Sequence, residues 1–383
     1  MLDGASAPAT GASGNPAGLF HGVVHAHDGA HAQLLRAAAL RAEQAYRPLL
    51  ARQALPGAVA GLLRGAWSDD PAALQSLAQA QALPPDYAQV LDGEAASALA
   101  GCALPGAAWH FPGGGWLQPP ALAAHCLRES GARLQRGVPV VSLERHGDRW
   151  RAIGPGGEVL AEADVAVVAA AQASAALLSP HADAGHWPWR RNRGQVTLLD
   201  ATAAAGLPRP ALPVASGGYL IALPAEMGGP LGGGMVCGAT SHEGDDEPAV
   251  RAADHGANLV QLMSLLGLDP AQADQVMRRP GVSGRVGWRV GLDDRLPVVG
   301  PVPARGEALQ GAHRLEQPRQ VPRVAGLYVL AGLGSRGITW APLLADTLAA
   351  WVTGAPSPLP SSLLDAVDPA RFVSRGVRQP ARR

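Results

Sequence analysis

The amino-acid sequence predicts an α/β protein with mixed α+β character, in which an α/β nucleotide-binding domain is interrupted by a mixed-sheet domain. Three observations carry that expectation. Asp164-Val165-Ala166-Val167-Val168-Ala169-Ala170 is a continuous apolar run, the pattern of a strand buried on both faces of a parallel sheet. Strand-like segments follow at Gln195 to Leu199, Gly218 to Leu223 and Met235 to Ala239. Near the end, Gly326 to Ala331 reads as a strand leading through Gly332-Leu333-Gly334-Ser335-Arg336-Gly337 into a helix that runs through Trp351.

The remaining elements fall into order around these. A helical pattern spans about Gly29 to Leu50, after a short N-terminus rich in Ala, Gly and Pro. Gly57 to Leu99 alternates short helical pieces with Pro-containing turns. An aromatic and glycine cluster, Trp109-His110-Phe111-Pro112-Gly113-Gly114-Gly115-Trp116, precedes a helix that carries Leu122 to Leu127 behind Pro119 and Pro120. Val138-Pro139-Val140-Val141 is strand-like, Arg149 to Ile153 alternates, Gly154 to Gly157 turns, and Val159 to Ala161 returns. A further helix is expected over Val250 to Leu266.

Composition excludes several chemistries. The chain has 383 residues, 47% of them apolar, enough for one large domain or two intertwined ones. Every basic residue is Arg; there is no Lys. That removes a Walker-type phosphate loop, a pyridoxal Schiff base and a lysine general base, so amine chemistry would need another cofactor. The formal net charge is zero, which counts mildly against a dedicated nucleic-acid binder. A local arginine patch could still suffice, and Arg371, Arg375, Arg378, Arg382 and Arg383 offer one; a solvated, disordered tail is the plainer reading. Cys102, Cys126 and Cys237 form no CxxC pair, which fits a reducing cytoplasm. Ala163 to Leu178 is apolar but interrupted by Gln172 and Ser174, and reads as a strand entering a helix rather than a membrane span.

The glycine turn at Gly332, Gly334 and Gly337 is the strongest local signal. It lets backbone approach a ligand while the following helix turns its free N–H groups toward an anion or carbonyl oxygen. Gly11-Ala12-Ser13-Gly14-Asn15 is a second small-residue loop that allows close approach. His21, His25, His27 and His31 resemble a metal cluster, and on one continuous helix His27 and His31 would share a face. No acidic or Cys partner has motif spacing with them, so no metal is expected.

Six segments occur in one order. They are Gly11-Ala12-Ser13-Gly14-Asn15, Phe111-Pro112-Gly113-Gly114-Gly115-Trp116-Leu117, Arg193-Gly194-Gln195-Val196, Cys237-Gly238-Ala239-Thr240, Asp294-Arg295-Leu296-Pro297-Val298-Val299-Gly300 and Leu333-Gly334-Ser335-Arg336-Gly337-Ile338-Thr339. The series resembles the oxidoreductase domain of the bifunctional tRNA 5-methylaminomethyl-2-thiouridine biosynthesis (MnmC) family, over nearly the whole chain. The closing Leu363-Leu364-Asp365 and Pro369-Ala370-Arg371-Phe372 also fit that family. The wider superfamily includes glycine and D-amino-acid oxidases.

The resemblance implies a D-amino-acid-oxidase-like, Rossmann-type FAD-binding domain with an interleaved mixed-sheet substrate domain. The FAD-binding part is expected at residues 1–50, 120–180 and 285–355, the substrate part at 51–119 and 181–284, and a tail at 356–383. It implies FAD as cofactor and tRNA as partner, with a methyltransferase, if any, encoded separately. The implied activity is oxidative removal of the carboxymethyl group from a 5-carboxymethylaminomethyl wobble uridine. An oxidase of glycine-like or sarcosine-like amines is the alternative, and an inactive remnant a further one. The glycine-like carboxylate needs a cationic anchor, and Arg289 is the candidate; pairing with Asp293 or Asp294 is its structural alternative. Tyr219 and His110 are candidates for the same cavity, with Trp116 a possible stacking surface or ordinary packing. Cofactor contacts are expected at Asp3, Ala12, Ser13, Gly14, Asn15, Val140, Ala170, Gly334, Ser335, Arg336, Gly337, Ile338 and Thr339. His27-Asp28 coincides with a His-Asp pair of the family, for which a structural or substrate-loop role is expected.

The sequence departs from the family at its start. A flavoprotein of this fold is expected to open with a strand, GxGxxG and a helix. Met1-Leu2-Asp3 reads instead as the end of the second strand, with Asp3 near the adenosine ribose. The first βα unit is therefore expected to be missing, through a start codon placed too late or a genuine truncation. Val168-Ala169-Ala170-Ala171-Gln172 also lacks a glycine that the family often carries after this strand.

Overall fold

Strand pairing in the computed structural model, which describes residues 1–67 and 70–378, sorts the chain into one large mixed sheet and several small ones. The spine of the large sheet is the antiparallel pair Trp189–Leu199 and Val282–Leu292, in register from Trp189 opposite Leu292 to Leu199 opposite Val282. Met235–Gly238, Gly218–Ala222, Val214–Ser216, Leu62–Gly65, Ala108–Phe111 and Gln89–Leu91 continue it outward from Trp189–Leu199. One face is closed by the helix Ala252–Leu265. Leu259, Leu262 and Met263 have helical spacing and are fully buried with Leu63, Val214, Leu220 and Cys237. Burying each such side chain is worth roughly 1.5–3 kcal/mol. The opposite face of this sheet is where the site forms.

A second, smaller sheet holds the parallel pairing expected near the C-terminus. Ala166–Val168 runs parallel to Arg323–Ala331, which pairs antiparallel with Val298–Pro303. The helices Ala30–Ala51 and Gly337–Thr353 pack beside it through Leu34, Leu35, Ala38, Trp340, Leu343 and Leu344. Leu2–Asp3 pairs in parallel with Gln135–Arg136 as a separate two-stranded sheet. Ser142–His146, Arg149–Ile153 and Val159–Ala163 form an antiparallel meander. Gly115–Leu117 lies between Gly18–Phe20 and Gly57–Ala58. No helix among the described residues is long and apolar enough to cross a membrane.

Several expectations are corrected. The run 164–170 forms a strand only over Ala166–Val168 and is not fully buried: Val165 is 39% and Val167 46% exposed. Among the described residues this strand pairs only with Arg323–Ala331, at the edge of its sheet. Val138 to Val141 is not a strand. The boundary expected at 285 falls inside Val282–Leu292, whose whole length belongs to the large sheet. The C-terminal tail is ordered as the helices Ser361–Val367 and Arg371–Arg378. Arg371 is a buried anchor rather than a solvated charge: 2% exposed, with Nε donating to Asp294 at 2.9 Å and Nη1 to the carbonyl of Pro297 at 3.0 Å. Arg382 and Arg383 lie outside the described residues. His21, His25 and His27 precede the helix that carries His31, so the shared helical face is not formed.

Candidate active site

Register assembles the site. Residues opposite one another across paired strands share a face of the sheet. Arg64 lies opposite Ala215, Ala215 opposite Tyr219, Tyr219 opposite Gly238 and Gly238 opposite Val196. Val196 lies opposite Arg285 and Gly194 opposite Gly287, and Arg289 follows two residues further on the same face. One face therefore carries Arg64 at one end, Arg285 and Arg289 at the other, Tyr219 between, and small residues elsewhere. The small residues leave room for a cleft of about 670 Å³, a size suited to a ligand. The opposite face is the one closed by Ala252–Leu265.

The facing wall comes from the two glycine-containing segments. Ala12, Ser13 and Asn15 line the cleft, and so do Leu333 to Thr339. Arg285 holds the first loop: it donates to the carbonyls of Thr10 at 2.6 Å and Gly11 at 2.5 Å, and to Asn15 Oδ1 at 3.1 Å. A Cβ at Gly14 would lie 2.2 Å from the Arg285 guanidinium, which requires glycine there. The second segment begins the seventeen-residue helix Gly337–Thr353, whose N-terminus has no side-chain cap. Its free N–H groups face the cleft and favour negative charge.

Charge in the cleft is one-sided. Among the described residues, Arg64, Arg289 and Arg336 line it and no Asp or Glu does. Arg289 donates to the Thr240 carbonyl at 3.0 Å and forms no ion pair with Asp293 or Asp294. Asp293 pairs with Arg190, and Asp294 with Arg371 at 2.9 Å and Arg375 at 2.7 Å. The structural alternative for Arg289 is thereby removed. Burial lowers the Arg289 pKa, with nearby Tyr219 opposing it. Burial also pushes the Tyr219 phenol well above its ordinary value, so it stays a neutral donor. His21 Nδ1–H donates to the Gly22 carbonyl at 2.5 Å, which leaves Nε2 to accept from Arg336 Nη1 at 3.4 Å.

Of the expected site residues, the cleft collects Arg289, Tyr219, Ala12, Ser13, Asn15, Gly334, Ser335, Arg336, Gly337, Ile338 and Thr339. It does not collect His110. That residue lies opposite Leu63, one position out of phase with Arg64, and therefore faces away from the cleft. Trp116 packs with Ala17, Ile221 and Val236 rather than lining the cleft. Gly14 sits behind the loop against Arg285. Asp3, on Leu2–Asp3, caps the N–H of Ala5 at 2.9 Å, and Val140 and Ala170 lie outside the cleft lining. Sequence reasoning missed Arg64 and His21 as lining residues. An arginine directly after two leucines on a strand was the available signal for Arg64, and register alone gives it a face. It also overlooked that Gly332-Leu333-Gly334-Ser335-Arg336-Gly337 is itself a G-x-G-x-x-G sequence between strand and helix.

Residues 1–351 match the family model described as DAO, FAD dependent oxidoreductase. The chain belongs to that family. Its cofactor is accordingly FAD, and it is an oxidoreductase. The cleft fits the flavin end of FAD: small residues open it, and Ser13, Asn15 and the uncapped helix N-terminus at Gly337 line it. At 45% identity over 379 residues, the chain is similar to the tRNA 5-methylaminomethyl-2-thiouridine biosynthesis bifunctional protein MnmC of Methylibium petroleiphilum, covering 97% of this chain. It spans 56% of that relative's length. Glycine oxidase from Geobacillus kaustophilus shares the fold at a TM-score of 0.68 and 20% identity, covering 95% of this chain and 90% of that one. Iminodiacetate oxidase from Chelativorans sp. BNC1 does so at 0.67 and 24%, covering 96% and 91%.

Proposed function

We propose that the protein removes the carboxymethyl group from 5-carboxymethylaminomethyl-(2-thio)uridine at the wobble position of tRNA, leaving 5-aminomethyluridine. The observation that carries this reading is Arg289: a guanidinium in a cleft without carboxylates, beside a neutral Tyr219. The similarity to the bifunctional tRNA enzyme over 97% of this chain supports tRNA as the substrate class. On this reading the protein works on tRNA in the cytoplasm, with a methyltransferase as its partner for the following step.

The substrate side chain is a glycine joined through its nitrogen. Arg289 takes the carboxylate, and the planar guanidinium fixes its orientation through paired N–H donors. Tyr219, opposite Gly238 on the cleft floor, covers the substrate side and donates to it. FAD supplies a two-electron acceptor for hydride from the carbon between nitrogen and carboxylate. Loss of that hydride and of the nitrogen's proton leaves an imine. Water adds to its carbon, the C–N bond breaks, and glyoxylate and the aminomethyl uridine depart. The absence of carboxylates from the cleft lining, among the described residues, helps, because the nitrogen must be unprotonated and positive neighbours disfavour its ammonium form.

Incubating the flavin-loaded protein with tRNA that carries the carboxymethylaminomethyl group tests this. Nucleoside mass analysis is expected to show loss of the carboxymethyl group together with glyoxylate. Unchanged tRNA beside turnover of glycine or sarcosine would give the small-amine reading instead.

A further inference from the structure

Arg289 lies on Val282–Leu292, yet its hydrogen-bond partner lies across the neighbouring strand Trp189–Leu199. Register shows how the two meet. Gly238 lies opposite Val196, and His242 opposite Arg193. Ala239, Thr240 and Ser241 therefore face only Gln195 and Gly194, which makes a β-bulge. Bulges re-aim the groups they carry. Here the Thr240 carbonyl accepts from Arg289 Nη2 at 3.0 Å. The contact passes over Gly194, where a Cβ would lie 2.9 Å from Arg289 Nη2 and 3.2 Å from the Thr240 carbonyl oxygen. We propose that Thr240 is a positioning residue for substrate binding: held by Gln195 and Asn258, its carbonyl fixes the Arg289 guanidinium over Gly194, ready for the substrate carboxylate. This deepens the proposed reaction and rests on Arg289 binding that carboxylate.

Thr240 is tied to Gln195 twice. Its N–H donates to the Gln195 carbonyl at 3.2 Å, and its Oγ1 accepts from the Gln195 N–H at 3.2 Å. Gln195 is itself fixed from the face opposite the cleft. It is fully buried; Nε2 donates to the Arg251 carbonyl and Oε1 accepts from the Arg251 N–H, each at 2.8 Å. Asn258, buried on the helix Ala252–Leu265, donates from Nδ2 to the Gln195 carbonyl at 2.8 Å. Beside them the buried Arg193 pairs with Asp254 at 2.6 Å. Among the described residues, Arg193, Gln195 and Asn258 leave no buried side-chain nitrogen or oxygen without a partner. Fully satisfied buried networks are rigid, so this one gives the bulge a fixed backing.

A long arginine side chain that moves freely loses that freedom when it grips a carboxylate, and binding weakens accordingly. The Thr240 carbonyl restrains the guanidinium beforehand. It occupies one nitrogen and leaves the remaining N–H donors for the substrate. Being uncharged, it leaves the positive charge of Arg289 uncancelled, whereas a carboxylate in its place would compete with the substrate.

Anaerobic flavin reduction in the FAD-loaded full chain, followed over substrate concentration, tests this through the half-saturating concentration and the limiting rate. The substrates are tRNA bearing 5-carboxymethylaminomethyluridine and, separately, sarcosine. Thr240→Val keeps the side-chain shape and removes the Oγ1 link. It is expected to raise half-saturation about tenfold, with the limiting rate within about twofold. Thr240→Ser keeps the hydroxyl and is expected to stay near wild type. In an Arg289→Met background Thr240→Val is expected to add nothing, because both act through one contact. Gly194→Ala gives a second displacement: its Cβ mainly meets the flexible end of Arg289, and half-saturation is again expected to rise. Unchanged half-saturation in Thr240→Val and Gly194→Ala overturns the proposal. So does a Thr240→Val effect that persists in full beside Arg289→Met, the mark of a merely structural role. Reduction by sarcosine alone would end the wobble-uridine reading, and the same variants then decide the positioning role on sarcosine. Reduction by neither substrate ends both.

Discussion

At Arg289 the account depends on what the guanidinium lacks. It has a carbonyl partner but no carboxylate, so a substrate carboxylate meets a desolvated and available cation. Arg289→Met is therefore expected to lower kcat/KM by about 100-fold, through loss of a charge-assisted pair worth ~2–3 kcal/mol. His110→Gln is expected to leave kcat/KM within about threefold, because the residue faces away from the cleft and surface-type changes seldom exceed ~0.5 kcal/mol. Steady-state rates on the two variants check both. His21 gives a stability prediction. Burial, then Arg336 and Arg64, hold its pKa at about 3, although its backbone hydrogen bond to Gly22 pulls the other way. Unfolded, it titrates near 6.5. Between these values the unfolded chain binds more protons, so the contribution is fully present above pH 6.5 and is lost as pH falls toward 3. The slope reaches up to about 1.4 kcal/mol per pH unit. Urea midpoints at several pH values from neutral downward should show this fall, and His21→Gln should flatten it.

At the scale of elements, strand register decides which side chains meet. The sequence reading located several strands, among them Arg149–Ile153, Gly218–Ala222, Met235–Gly238 and Arg323–Ala331, and both small-residue segments, because hydrophobic runs and glycines are local signals; it placed no strand at Val282–Leu292, the spine of the large sheet. It could not assign faces. His110 was grouped with Arg289 by its place in an aromatic cluster, yet the pairing of His110 with Leu63 turns it away, whereas Arg64 next along the strand turns in. The faces depend on long-range pairing, and a single-residue shift reverses them. Arg285 shows the same limit: it ties the 10–15 loop from across the fold, some 270 residues away in sequence. Arg285→Met is expected to loosen that loop and weaken FAD binding about tenfold, the effect of losing ~1.4 kcal/mol, as read by flavin fluorescence on titration. The C-terminal helix is a comparable case. Its arginines resembled a free tail until Asp294 supplied a distant partner. Removing one member of a buried pair is strongly destabilising, so Arg371→Ala should cost about 3 kcal/mol in a denaturant titration.

At the scale of the whole molecule, two sheets of different character meet around one cleft. The large mixed sheet presents a floor of small residues with arginines at both ends, and the helix Gly337–Thr353 beside the smaller sheet presents an uncapped N-terminus. The fold class was legible because alternating strand and helix patterns, and six ordered motifs, run through most of the chain. The exposure of Val165 and Val167 was not legible, since an apolar run looks the same at the edge of a sheet as at its centre. The central claim is that this cleft orients a glycine-like group by its carboxylate at Arg289 so that FAD can accept hydride from it. Anaerobic mixing of flavin-loaded protein with tRNA bearing 5-carboxymethylaminomethyluridine measures this directly, through bleaching of the flavin absorbance. The account predicts rapid bleaching by wild-type protein and by His110→Gln, and bleaching slowed about 100-fold in Arg289→Met at subsaturating tRNA. Undiminished bleaching in Arg289→Met would contradict it.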